Sequence, residues 1–290
     1  MQTEDTTYAT DFDDEGHDAS SRGRITAHFL AGLIAGMVSR TATAPLDRLK
    51  IISQMSGKNV MPISGVKMMM REGGVWSMWR GNGANILKVG PEISSKFLAY
   101  NEMKTFLMGG DTSEATTSQR LIAGFTAGAL SHSIIHPLEV CKTRLALRKT
   151  GEEGKLWILA RNGYKKNGWR FFFKGYRISI LGISLFSCID FATYEKKLKG
   201  RLCSRTGGGI MLCGICSSFV AILTCFPFGV VGIYLQATDD KMKFSDLKSF
   251  VVRRGLFGMY SGLPSALFKG LPMFALSYLT YEYVLSCMGH

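Results

Sequence analysis

Long uncharged stretches alternate with basic, polar connections along the chain. The longest runs from Thr206 to Thr238, and its 33 residues exceed the roughly 20 that a helix needs to cross a bilayer. Segments 121–138 and 25–39 add uncharged stretches of 18 and 15 residues. Other apolar segments contain single charges, which in a membrane helix normally face the bundle interior or a water-filled path. The pattern predicts membrane-spanning helices around a polar interior.

A proline with the same small residues before it recurs three times. In each copy the small residues stand 13 and 9 positions before the proline, and the prolines are 137 − 45 = 92 and 227 − 137 = 90 residues apart. Small residues four apart let membrane helices approach closely, and proline bends its helix. The three sets are Gly32, Gly36 and Pro45; Gly124, Gly128 and Pro137; and Gly214, Ser218 and Pro227.

A second motif follows each proline and is weakened in the third copy. It reads aromatic-base-glycine in the first two copies, and a tyrosine stands 19 residues after each glycine. Each unit of roughly 90 residues therefore predicts a kinked helix, a polar connection with a short amphipathic helix, and a second helix. We expect an all-α membrane protein with six transmembrane helices in three tandem pseudo-threefold repeats, 24–110, 111–203 and 204–290, after an acidic flexible tail, 1–23. The motifs are Trp79-Arg80-Gly81, Phe173-Lys174-Gly175 and Tyr260-Ser261-Gly262, with Tyr100, Tyr194 and Tyr281.

Composition narrows the class of protein. The chain has 290 residues, a formal net charge of +13 and 46% hydrophobic residues, which excludes a disordered chain. A nucleic-acid-binding protein would explain the charge but not the 33-residue uncharged stretch. Common catalytic motifs are absent, so we expect no enzyme and no cofactor. His132 and His136 share one helical face without a carboxylate between them, which favours polar packing over a metal site.

Three equivalent positions indicate an anion site at mid-depth. Lys88, Gly182 and Lys269 stand seven residues after the glycine that ends the second motif of each repeat. Arg40 lies at a similar depth before Pro45. Cations in an apolar bundle require a countercharge, and substrate anions would supply it. The alternative is that these bases pair internally with Glu92 and Asp190.

The proline motifs carry a family resemblance. Pro45-Leu46-Asp47-Arg48-Leu49-Lys50 and Pro137-Leu138-Glu139-Val140-Cys141-Lys142 share a Pro-x-acid-x-x-base pattern that resembles the mitochondrial carrier family, from about residue 24 to the C-terminus. The resemblance implies a monomeric multi-pass transporter of the mitochondrial inner membrane that works by alternating access. It also implies a matrix gate in which the base of one repeat pairs with the acid of the next.

The third repeat departs from this gate pattern. Glycine occupies both charged positions, Gly229 and Gly232. Lys50 is then expected to pair with Glu139, whereas Asp47 and Lys142 lack their expected partners. Gln54 and Gln236, each nine residues after its proline, are expected to brace the closure.

The expected cytoplasmic gate is reduced in the same way. Of its residues, only Lys104 and Glu195 make a standard inter-repeat pair, with Glu282 in the third repeat. Two interpretations remain open: both gates open more easily, or the protein has drifted from efficient transport.

Further motifs look like the short ATP-Mg/phosphate carriers, which exchange adenine nucleotides for phosphate. They are Ser39-Arg40-Thr41, the segment 79–85 and the segment 140–151. The resemblance implies that Arg40, Lys88 and Lys269 hold phosphates. Gly182 and Ile183 would admit the adenine, on which Phe186 could stack. Glu92 is a speculative ligand for magnesium, which enters only as part of the substrate.

Two features qualify this subfamily assignment. Leu185 stands where the subfamily has proline, and its calcium-sensing N-terminal region is absent here, so we expect transport without that calcium control.

Cardiolipin headgroups are expected at Arg80-Gly81 and Lys174-Gly175, with a plain helix start as the alternative. Other functions left open are a carrier for another anionic metabolite and a divergent member with reduced or lost transport.

Overall fold

The structure is a computed structural model that describes residues 18–108, 117–152, 154–199, 207–238 and 244–288. These residues form eleven α-helices and two short 3₁₀ helices, Val75–Trp79 and Gly168–Phe171, without a strand, so the all-α prediction is confirmed for them. The α-helices are α1 Asp18–Ala42, α2 Ala44–Ser56, α3 Pro62–Gly73, α4 Asn82–Leu87, α5 Val89–Met108, α6 Thr117–Leu147, α7 Leu156–Asn167, α8 Tyr176–Lys199, α9 Gly207–Ala237, α10 Phe244–Met259 and α11 Leu263–Cys287.

One helical segment is long and apolar enough to cross a membrane by itself. It is Cys216–Ala237 in α9, with 22 residues and a mean hydropathy of 2.0. The segment Thr26–Ala42 of α1 meets the same criterion only together with α2, from which it is bent by 60°. The described part of the chain therefore contains one such span, or two if the bent pair is a single span.

The three repeated prolines have different effects on their helices. Proline lacks the amide hydrogen of the helical ladder and its ring collides with the preceding turn. The first helix breaks into α1 and α2 at Thr43, and Pro45 lies in the first turn of α2. Pro137 and Pro227 lie inside the continuous helices α6 and α9. Thus the first proline helix is divided, whereas the other two run through their prolines.

Three glycines lie where α4, α8 and α11 begin, each against a neighbouring helix. Gly81, Gly175 and Gly262 have φ values of 84°, 75° and 85°, which favour glycine because a side chain would be strained there. A Cβ on each would also collide with a backbone carbonyl of another segment. The carbonyl oxygens are those of Lys142 at 2.9 Å, Gly232 at 2.9 Å and Lys50 at 3.0 Å, respectively. The start of α4 thus contacts α6, the start of α8 contacts α9, and the start of α11 contacts α2. In terms of the predicted repeats, the first contacts the second, the second contacts the third, and the third contacts the first.

Basic side chains cover the C-terminal ends of three helices. The last carbonyls of a helix lack partners within it and carry partial negative charge, so cations bind there favourably. Each basic residue belongs to a different predicted repeat than the helix end that it covers. The bonds are Arg48 Nε to the Ala146 carbonyl of α6 (2.9 Å), Lys174 Nζ to the Thr238 carbonyl after α9 (3.0 Å) and Arg254 Nη1 to the Gln54 carbonyl of α2 (2.5 Å).

Candidate functional site

A cavity of 610 Å³ lies between α2, α6, α8, α9 and α11. Its volume is within the ~300–1,000 Å³ typical of small-molecule sites. Apolar side chains line much of the wall, and charged groups gather in one part of it. The charged lining residues are Asp47, Lys50, Glu139, Lys142 and Lys269.

Asp47 is the centre of the charged region. Its two carboxylate oxygens bind different lysines: Oδ2 lies 2.5 Å from Lys142 Nζ, and Oδ1 lies 2.5 Å from Lys269 Nζ. The side chains are 10%, 15% and 19% exposed, respectively. Asp47 and Lys142 lack the third-repeat partners of the family pattern, as the sequence indicates, and they contact each other instead. Glycine at the third repeat's charged positions leaves these two residues to pair with each other.

Glu139 is paired with a different lysine than expected. Lys88 Nζ donates to Glu139 Oε1 at 2.7 Å, and the lysine is only 8% exposed. Among the described side chains, no carboxylate oxygen lies within 4 Å of the Lys50 ammonium, so the expected Lys50–Glu139 pair is absent here. Lys88 and Lys269, both predicted to bind phosphate, therefore contact the two acids of the proline motifs. We call Asp47, Glu139, Lys88, Lys142 and Lys269 the gate cluster.

Arg40 is not among the residues that line the cavity, and it is paired with Glu92. Its Nη2 is 2.8 Å from Glu92 Oε2, and its Nη1 donates to the Asn85 carbonyl at 3.4 Å. Glu92 also lies near Lys96 (3.1 Å) and Lys88 (3.9 Å). The internal pairing considered for these bases thus holds for Arg40 and Glu92. The side chain of Asp190 lies outside those that the structure describes.

The residues expected to accommodate a base are together on the cavity wall. Gly182, Ile183 and Phe186 of α8 all line it, as does Lys269 opposite on α11. A Cβ at Gly182 would come within 3.3 Å of the Phe228 Cβ, so the glycine keeps α8 close to α9. The structure therefore brings an aromatic ring, a small residue and a lysine to one cavity.

The two glutamines have unequal environments. Gln236 accepts a hydrogen bond from Thr143 Oγ1 at 2.8 Å, and its Nε2 lies 3.4 Å from Ser179 Oγ. Gln54 is 1% exposed, and its Oε1 has no hydrogen-bond partner within the described structure. Gln236 thus joins α6, α8 and α9, whereas the bracing role of Gln54 stays a prediction.

The remaining predicted positions belong to the expected cytoplasmic gate and lipid sites. The side chains of Lys104 and Glu195 lie outside the described part of the structure, and Glu282 is exposed. Arg80 is directed into the protein, where its guanidinium contacts Glu72 (3.1 Å), the Arg148 carbonyl (2.9 Å) and Thr150 (2.7 Å). Cardiolipin binding at Arg80 stays a prediction.

Three polar residues were not predicted from the sequence as part of a site, and two of them, Thr143 and Ser179, line the cavity. Thr143 and Ser179 hold Gln236, and Arg48 is 2% exposed with contacts to the Ala146 and Ser77 carbonyls. The signal for Arg48 and Thr143 was their place in or beside the proline motifs. Ser179 stands four residues after Gly175 and had no signal of its own.

Comparisons with known proteins place relatives of this chain in one family. A family model described as "Mitochondrial carrier protein" matches residues 21–111, 113–202 and 206–290. The mitochondrial adenyl nucleotide antiporter SLC25A24 of Danio rerio is 38% identical over 276 residues, which cover 89% of this chain and 57% of that protein. The mitochondrial adenyl nucleotide antiporters SLC25A25 of Mus musculus and Homo sapiens are 39% and 38% identical, each over 90% of this chain and 59% of their own length. The chain thus spans less than three fifths of these relatives.

Proposed function

Because the chain belongs to the mitochondrial carrier family, we propose that it is an antiporter of the mitochondrial inner membrane. It exchanges adenine nucleotides (ATP-Mg, ATP or ADP) for phosphate or other nucleotides by alternating access. Similarity to relatives named adenyl nucleotide antiporters supports the nucleotide. The basic cavity, with an aromatic residue on its wall, supports an anionic substrate that carries a ring.

We propose that six transmembrane helices in three pseudo-threefold repeats form this carrier, as a monomer in a cardiolipin-containing membrane. Three consecutive family matches support the repeats. The equivalent contacts of Gly81, Gly175 and Gly262 also support them, because the three contacts form a closed cycle. The odd-numbered spans are α1 with α2, α6 and α9; the even-numbered spans are α4 with α5, α8 and α11.

One observation carries the proposed mechanism: the two lysines expected to bind phosphate contact the acids of the gate cluster. Lys269 binds Asp47 at 2.5 Å, and Lys88 binds Glu139 at 2.7 Å. Phosphate oxygens compete with carboxylates for the same ammonium groups. A nucleotide that takes both lysines would release Glu139 and leave Asp47 bound to Lys142 alone, so the gate cluster would be weakened and could open. Substrate binding is thereby coupled to opening.

The base would bind on the α8 wall. Gly182 carries no side chain into the cavity that it lines, and Phe186 offers a ring face on which adenine can stack. Arg40 and Glu92 bind the outer phosphates and their magnesium only after their mutual 2.8 Å pair separates. Magnesium therefore belongs to the substrate in this proposal.

A second candidate is a divergent carrier with slow transport or another anionic substrate. It is favoured by the glycines at both charged positions of the third repeat, Gly229 and Gly232. Against slow or lost transport stands the Asp47–Lys142 pair, because it restores an ion pair where the family pattern would leave two isolated charges.

Exchange in liposomes tests the proposal. Purified protein is reconstituted with cardiolipin, the liposomes are loaded with phosphate, ADP or buffer alone, and uptake of labelled ATP is followed with and without magnesium. We expect uptake that needs an internal counter-substrate. Uptake of an unrelated dicarboxylate but not of ATP would show that the substrate is another anion and not a nucleotide. Absence of any exchange by protein with a normal unfolding transition would favour lost transport.

A further inference from the structure

A cluster of potential metal ligands lies on α6 near its internal proline. His132, His136 and Glu139 stand at positions i, i+4 and i+7, so they share one helical face. One ligand atom of each lies within 4.8 Å of those of the other two. His132 and Glu139 line the 610 Å³ cavity, whereas His136 is fully buried behind them. The cluster therefore lies on the cavity wall.

The ring of His136 is fixed in an orientation that suits a metal ligand. Its Nε2 lies 3.1 Å from the Lys174 carbonyl oxygen, which can only accept, so Nε2 carries the hydrogen. The other nitrogen, Nδ1, then has a free lone pair and points at His132. Phe173 and Tyr176 pack against the ring, with centroids 6.3 Å and 5.3 Å away. Metal-binding histidines typically donate their second nitrogen to a carbonyl in this way.

The spacing of the ligand atoms suits a tetrahedral ion. His136 Nδ1 and His132 Nε2 are 3.4 Å apart. Two nitrogens bound at ~2.0–2.1 Å to a tetrahedral Zn²⁺ lie about 3.4 Å apart. The third group, Glu139, has a carboxylate oxygen within 4.8 Å of the ligand nitrogens of both histidines. Its Oε2 lies 3.9 Å from the second ring nitrogen of His132, Nδ1, while Oε1 binds Lys88 at 2.7 Å. One oxygen can therefore bind a metal while the other keeps its lysine, which would orient the carboxylate from outside.

We propose that His132, His136 and Glu139 form a binding site for one divalent transition-metal cation of the Zn²⁺ class. Two imidazoles select such ions over Mg²⁺, which prefers oxygen ligands. Three protein ligands leave a fourth position, and it faces the cavity because His132 and Glu139 line it. The metal site does not depend on the proposed nucleotide transport. Its two histidines are those for which the sequence alone favoured polar packing.

Metal binding to the purified protein tests the site without any transport assay. The protein in detergent is treated with an alkylating reagent so that its accessible cysteines cannot bind metal; Cys141 and Cys225 are buried. Co²⁺ is then titrated and followed by visible absorption, which distinguishes four-coordinate from six-coordinate cobalt, and Zn²⁺ is used to displace it. The variants are His132→Gln, His136→Gln and Glu139→Gln. The matched control is His28→Gln, since His28 lies on α1 and contacts Tyr281.

We expect one four-coordinate Co²⁺ per chain, displaced by Zn²⁺ but not by Mg²⁺. Removal of even an outer partner costs 10–100-fold in metal affinity, so His132→Gln should weaken binding at least about tenfold. His28→Gln should bind as the unchanged chain does. Equal affinity in His132→Gln, or only weak six-coordinate binding in the unchanged chain, would overturn the proposal. If the buried His136→Gln variant fails to fold, His132→Gln and Glu139→Gln decide the question.

Discussion

Replacing Asp47 by Asn should destabilise the protein more than replacing either lysine that it binds. Asp47 holds both Lys142 and Lys269 at 2.5 Å, so Asp47→Asn removes two ion pairs and leaves two ammonium groups without their shared anion. Lys142→Gln removes one ion pair and leaves Asp47 bound to Lys269. The structure therefore predicts that Asp47→Asn lowers the free energy of unfolding more than Lys142→Gln does.

The magnitude follows from the number of charged hydrogen bonds that each substitution removes. A hydrogen bond to a charged group contributes ~1.5–3 kcal/mol. The three side chains are 10–19% exposed, so solvent screening places each bond at ~2 kcal/mol, near the lower part of that range. Asp47→Asn should then cost about 4 kcal/mol and Lys142→Gln about 2 kcal/mol. The double variant should be less destabilised than the sum of the two single variants, because both substitutions remove the same ion pair.

Thermal unfolding of the detergent-purified variants measures these differences. At ~2 °C per kcal/mol for a chain of this size, the two midpoints should fall by ~8 °C and ~4 °C. Lys50→Gln is the control, because Lys50 belongs to the same motif but has no carboxylate oxygen within 4 Å among the described side chains. It should leave the midpoint within ~1 °C. If Lys50→Gln lowers the midpoint as far as Asp47→Asn does, the observed pairing is wrong and the family pairing with Glu139 holds instead.

Two further predictions concern the glycine contacts and the substrate lysines. Gly81→Ala should lower stability by at least ~1–2 kcal/mol, because its φ is 84° and its Cβ would lie 2.9 Å from the Lys142 carbonyl oxygen. Gly83→Ala, with no atom within 4 Å of its Cβ, should be neutral or stabilising in the same thermal assay, and an equal decrease in both would refute the contact. Lys88→Ala and Lys269→Ala should each lower ATP exchange in liposomes at least about tenfold, since each removes a charged phosphate ligand. Normal exchange in both folded variants would refute the assignment of these lysines.

Local patterns in the chain were enough to predict the helical character and the family. Helix formation depends mainly on residues that are close in sequence. Uncharged stretches, repeated prolines and the glycines that precede helices can therefore be recognised without a structure. Gly81, Gly175 and Gly262 were found by spacing alone, and all three have the positive φ that only glycine adopts easily. The acids and bases of the proline motifs were identified in the same way.

The pairing of those charges was decided only by the tertiary structure. Lysine has a long flexible side chain, so a choice among several acids depends on how each helix is rotated and bent. Glu139 therefore binds Lys88 rather than Lys50, and Asp47 binds Lys142 and Lys269. The histidine pair shows the same division, because its spacing was visible in the sequence. Its approach to Glu139 and to the Lys174 carbonyl depends on side-chain orientation and on packing between helices, which a linear pattern does not specify.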